Sequence, residues 1–182
     1  GGIPFHMKDA IPNLFAHWIS LDIIAYLRLV SGTGNTRANW LRIMNRPNRY
    51  IKREALAPFT SDISVAQLKA YYQDKDWMLE RLDRLEYDLS IMKRMSPYAA
   101  IHYLSNAMKY QDYLKDYAKE HHINEQELLD VLNAVHESSQ SCRSFAEWFT
   151  YIDTYTEELQ KQAKSPASND ANNEMNDTKG VR

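Results

Sequence analysis

Cysteine is almost missing from this 182-residue sequence: Cys142 stands alone, so neither an internal disulfide nor a cysteine-based zinc site can form. A reducing compartment is expected, with Cys142 reading as a core thiol. Glycine and proline are also scarce, at five and six residues, which argues against a sheet with many tight turns. No apolar run approaches the roughly twenty residues of a membrane span. The opening Gly1-Gly2-Ile3-Pro4-Phe5-His6 lacks a signal-peptide pattern, so a soluble, cytoplasmic chain without a membrane partner is expected. Catalytic signatures are missing as well. There is no G-x-x-x-x-G-K-[ST] loop to cradle a triphosphate, and Gly32-Thr33-Gly34 lacks both the third glycine and the lysine that a nucleotide would need. Neither a G-x-S-x-G elbow nor an H-E-x-x-H pair exists. Adjacent His121 and His122 point in different directions on a helix, which is no metal-ligand spacing. No catalytic residue, cofactor or metal is therefore expected within this chain.

What is present suits one all-α domain. With 44% hydrophobic and 25% charged residues, a chain of this length can bury a full core. Ile19, Ile23, Leu27 and Val30 recur at helical spacing and stop at Ser31-Gly32-Thr33-Gly34. A second helix, Thr36 to Met44, ends ahead of Pro47, which disfavours helix at the residue before it. Pro58 to Asp62 is a break, and Ser64 with Gln67 forms a capping-box pattern opening a helix to about Gln73. A longer helix over Trp77 to Met95 carries Met78, Leu82, Leu85, Leu89 and Met92 on one stripe. Ser96-Pro97 starts another, Tyr98 to Met108. Asn124 with Glu127, and Ser144 with Glu147, repeat the capping-box pattern before Glu125 to Glu137 and Phe145 to Ala163. From Lys164 to Lys179 the chain is polar and nearly without apolar residues, which reads as a disordered linker. The sum is about seven or eight helices, with no internal repeat of fixed period.

The formal net charge of -2 conceals an uneven distribution. No acid stands between Asp22 and Glu54, yet the segment holds Arg28, Arg37, Arg42, Arg46, Arg49, Lys52 and Arg53. Arginine's planar fork takes phosphate oxygens two at a time, and the Arg46 to Arg53 stretch falls in a loop where side chains can converge. This pattern suits a phosphate-facing surface. It equally suits a solvated face whose cations pair with Glu80, Asp83 and Glu86. The numerous aromatics, among them Tyr71, Tyr72, Trp77, Tyr87, Tyr98, Tyr103, Tyr110, Tyr113, Tyr117, Trp148 and Tyr155, fall mostly at helical intervals beside Leu, Ile and Met. They read as core packing rather than as platforms for bases.

One block, Asp22-Ile23-Ile24-Ala25-Tyr26-Leu27-Arg28-Leu29-Val30, resembles the motif opening the 2B subdomain of UvrD/Rep/PcrA-like superfamily 1 DNA helicases. Ahead of it, Gly2-Ile3-Pro4-Phe5 is similar to the segment by which that family leaves motor domain 2A. After it, Arg42-Ile43-Met44-Asn45-Arg46-Pro47-Asn48-Arg49 is similar to the family's Arg-Ile-hydrophobic-Asn-x-Pro-x-Arg. Gly180-Val181-Arg182 looks like the strand re-entering 2A ahead of a Thr-x-His-x-x-Lys-Gly motif. The resemblance implies residues 1–17 leaving domain 2A, a helical 2B-like domain over 18–163 and a linker over 164–182 leading back, the motor lying on either side. It further implies an ATP-dependent helicase moving three-prime to five-prime on single strands. ATP and Mg would bind the parent's motor and not this chain, and partners would be duplex DNA phosphates and the motor domains of the same chain. Two departures stand out. Ile19, Ser20 and Leu21 replace the family's Glu-Ile-Lys, and Tyr50-Ile51-Lys52 replaces Gly-Ile-Gly, whose backbone amides approach duplex phosphates. Bulky side chains there shift the expected DNA contact to Arg42, Arg46, Arg49, Lys52 and Arg53.

A helical protein-interaction module with a basic surface loop is the rival reading. The gene on either side separates the two, since only a helicase would carry a phosphate-loop motif upstream and Thr-x-His-x-x-Lys-Gly downstream.

Overall fold

The structure is a computed structural model that describes residues 11–60 and 62–179, with side chains as far as Lys164. Among the described residues there are eight α-helices and no strand: α1 (Trp18–Ser31), α2 (Arg37–Ile43), α3 (Val65–Tyr71), α4 (Asp76–Met92), α5 (Pro97–Asn106), α6 (Tyr110–Glu120), α7 (Glu125–Ser138) and α8 (Phe145–Lys179). Two 3-10 turns, Leu14–Ala16 and Arg53–Leu56, flank the first two helices. None of the helices is long and apolar enough to cross a membrane.

Helix α1 is the hub, touching α2, α4, α5, α7 and α8. Its sequence explains this. Ile19, Ile23, Ala25, Tyr26, Leu27, Leu29 and Val30 leave almost no face for water, and a helix apolar all round must be wrapped by others. Gly32 ends it at φ 78°, the left-handed conformation that lets its N–H reach back to the Arg28 and Leu29 carbonyls. Helices α3 and α4 pair on one side, while α5, α6 and α7 pack on one another.

The capping residues set the boundaries. Thr36, Ser64, Ser96, Asn124 and Ser144 each accept a backbone N–H from the first turn that follows. Ser64 with Gln67 closes a full capping box. At Ser144 the return bond slips by one residue, since Glu147 accepts from Arg143 N–H. Cys142 is buried, as a core thiol should be, and burial raises its pKa.

Leu14 and Phe15, within the 1–17 segment that the resemblance assigns to the exit from motor domain 2A, are buried in the same core as α1. Helix α6 lies in a stretch, 109–123, that carries no cap marking a helix start in the sequence. The stretch read as a linker continues the backbone of α8 to Lys179. With Pro166, four Asn, two Ser and two Asp between Lys164 and Lys179, the run is poor in strong helix formers, as the linker reading expects. The side chains beyond Lys164, Gly2-Ile3-Pro4-Phe5 and Gly180-Val181-Arg182 all lie outside the described residues.

Candidate nucleic-acid interface

Asp22 lies on α1 with no exposed surface, an expensive place for a carboxylate unless its oxygens are occupied. Arg46 Nη1 donates to Oδ1 at 2.8 Å, and Tyr110 Oη donates to Oδ2 at 2.8 Å from α6, 88 residues away. Arg42 Nε lies 2.9 Å from the same Oδ1 but is not aligned to donate, while its Nη2 reaches the Trp18 carbonyl. Burial pushes the Asp22 carboxyl above its usual range, although Tyr110, Arg46 and Arg42 each pull it down.

One helical turn further along, Tyr26 is fully buried and donates its hydroxyl to the Arg46 carbonyl at 2.6 Å. Arg49 Nη1 donates to Tyr26 Oη at 2.9 Å and lies within 3.1 Å of the Ile43 carbonyl. Arg49 thus covers carbonyls that the end of α2 leaves without a helical partner. Between these anchors Asn45 shapes the loop. Its Oδ1 accepts from the N–H groups of Arg49 and Ile51, and its Nδ2 donates to the Ile51 carbonyl. Lys52 N–H donates to Tyr72 Oη at 2.8 Å, tying the far end of the loop to the residue that follows α3.

The five cations expected to meet DNA therefore divide. Arg42 and Arg46 converge on Asp22, and Arg49 on Tyr26, so these guanidinium groups already have protein acceptors while staying partly exposed. Lys52 and Arg53 are exposed and make no ion pair with a described residue, and the same holds for Arg37. Arg28 stacks on Phe149, its guanidinium carbon 4.4 Å from the ring centre. The pairing of this segment with Glu80, Asp83 and Glu86 does not form. Asp83 and Glu86 instead hold Lys69, in the latter case at 2.8 Å.

Most of the aromatics pack in or against the core as expected, Tyr72, Tyr110, Trp148 and Tyr155 being buried. Tyr71, Trp77, Tyr87 and Tyr98 do not, and Tyr50 is exposed as well. Tyr50 also has a φ of 59°, a region costly for a bulky residue and cheap for glycine. In the sequence Trp77 reads as core packing and Tyr50 as a departure from the family's glycine, and Arg81 stands out in no pattern, yet the structure brings the three together. The Tyr-for-Gly departure was the available signal. His121 stacks on Tyr117 at 3.9 Å between ring centres, the role of a helix-end residue.

No protein-family model, curated protein or solved structure matches the chain.

Proposed function

We propose that the chain is the DNA-contacting and regulatory 2B-type module of an ATP-dependent three-prime to five-prime DNA helicase, meeting duplex phosphates with the loop from Asn48 to Arg53. ATP hydrolysis and its Mg belong in this reading to the motor domains of the parent, since this chain carries no phosphate loop.

One observation carries the reading. The two segments that carry the resemblance interlock, Asp22 of the first holding Arg46 of the second and Tyr26 of the first holding Arg49 of the second. The Asp22 carboxylate in that pair has no exposed surface, and Arg46 is partly exposed. The left-handed backbone at Tyr50 gives further support, because it falls where the family pattern has the first glycine of Gly-Ile-Gly. Fixing the loop from beneath leaves Lys52 and Arg53 to solvent, which suits contacts that position a protein on DNA without reading bases.

The test is the salt dependence of duplex binding, read by fluorescence anisotropy with a labelled blunt duplex of arbitrary sequence. Each phosphate contact contributes a slope of roughly -0.9 in log affinity against log salt, so Lys52→Ala with Arg53→Ala should flatten the slope by about two such steps. Duplexes of different sequence should respond alike. Unchanged affinity and slope in the folded double variant would remove the DNA reading and favour the protein-interaction module.

A further inference from the structure

On α4, Trp77 and Arg81 are four residues apart and so share a face. The Arg81 guanidinium carbon is 5.1 Å from the Trp77 ring centre and 4.8 Å from that of Tyr50, which reaches over from the loop. Neither ring is hidden, Tyr50 being 59% and Trp77 50% exposed. Arg81 makes no ion pair with a described residue, although Glu80 and Asp83 stand nearby in sequence. The cluster adjoins a groove of about 440 Å³ lined by Arg81, Arg84 and Lys109 with the acids Glu80 and Asp88, and by Arg49, whose guanidinium already bonds Tyr26 Oη and the Ile43 carbonyl. Asp88 is itself engaged, accepting from Tyr103 Oη at 2.6 Å with Arg84 3.5 Å away.

Two aromatic faces around an unpaired arginine, beside a groove rich in cations, match the chemistry of an unpaired nucleotide. The base stacks on any ring regardless of sequence, and the phosphate seeks the cations. The strained backbone of Tyr50 supports the same conclusion, since it holds out into water a ring that contributes nothing to the core. We propose that Tyr50, Arg81 and Trp77 form a stacking platform for an unpaired nucleobase, its phosphate lying toward Arg84 and Lys109. The module would then engage the junction between single strand and duplex. This proposal rests on the loop meeting DNA as set out above.

Trp77 is its own reporter, because Trp40 and Trp148 are buried and Trp18 is half-buried. The chain is titrated with an oligothymidylate, with a duplex bearing a single-stranded tail and with the same duplex blunt, following tryptophan emission and anisotropy. The oligothymidylate and the tailed duplex should quench emission, and Trp77→Phe should abolish the quench. The tailed duplex should bind about tenfold more tightly than the blunt one, the worth of roughly one stacked base. Tyr50→Gly, which suits the left-handed backbone and so preserves the fold, should erase that difference, and Arg81→Gln should reduce it. Equal binding of tailed and blunt duplexes, with Tyr50→Gly silent while Lys52→Ala with Arg53→Ala still weakens both, would overturn the platform and leave the loop reading intact. No binding of any DNA would overturn both.

Discussion

Asp22 sits where α1, α2 and α6 meet, and three groups compete with burial for its charge. Burial prevails, leaving the folded carboxyl above its ordinary value of 3.8. An acid whose pKa is raised by folding contributes stability that is full below the unfolded value and is lost as pH rises through the folded one. The fold accepts that loss at neutral pH because Arg46 and Tyr110 keep the ionised oxygens bonded. Replacing Arg46 by Met removes one of the groups that pull the carboxyl down, so its pKa should rise further. The variant should lose about 2 kcal/mol at neutral pH, less than the full cost of breaking a buried pair because Arg42 and Tyr110 remain. That loss should shrink once acid protonates Asp22. Denaturant unfolding of both proteins at pH 7 and at pH 4 measures it, and an equal loss at the two pH values would contradict this account.

The loop between α2 and the Arg53–Leu56 turn is the element that carries the proposed DNA contact, and its shape comes from a few polar atoms. Asn45→Ala removes bonds to Arg49 N–H, Ile51 N–H and the Ile51 carbonyl, all partly buried, and should cost about 2 kcal/mol by the usual net worth of hydrogen bonds. Tyr50→Gly should act in the opposite sense, gaining up to about 1 kcal/mol by relieving the left-handed strain. Thermal unfolding of both variants checks the pair, and a destabilised Tyr50→Gly would show that the ring is structural. Helix starts were legible in the sequence because a cap is a local device. Thr36, Ser64, Ser96, Asn124 and Ser144 each act within three residues of themselves. Helix α6 was not, since Lys109 ahead of it has a φ of 65° and offers no capping side chain. Nor was the fate of Arg42, Arg46 and Arg49 legible. Their orientation depends on Asp22 and Tyr26, 20 or more residues away, and the Asp22 site is completed by Tyr110 from 88 residues away. Charge density in a segment shows how many cations it has, not which of them already have partners.

Across the whole molecule, the net charge of -2 is the sum of unlike faces. The tip of the loop, Pro47 and Asn48, stands between two grooves. The one against α4 presents Arg81 and Arg84 beside Glu80 and Asp88, the one against α6 presents Asp112, Asp116 and Glu120, and Lys109 lines both. A polyanion is drawn to the first and repelled by the second, so DNA should lie along the α4 side of the loop. The most direct measurement of this central claim is amide chemical-shift mapping of the isotopically labelled chain with a short tailed duplex at low salt. The account predicts shifts concentrated at residues 48–53 and along the Trp77 to Arg84 part of α4, fading together as salt is added, with Asp112 to Glu120 undisturbed. Shifts centred on α6 and α7, or none at any concentration of DNA, would contradict it.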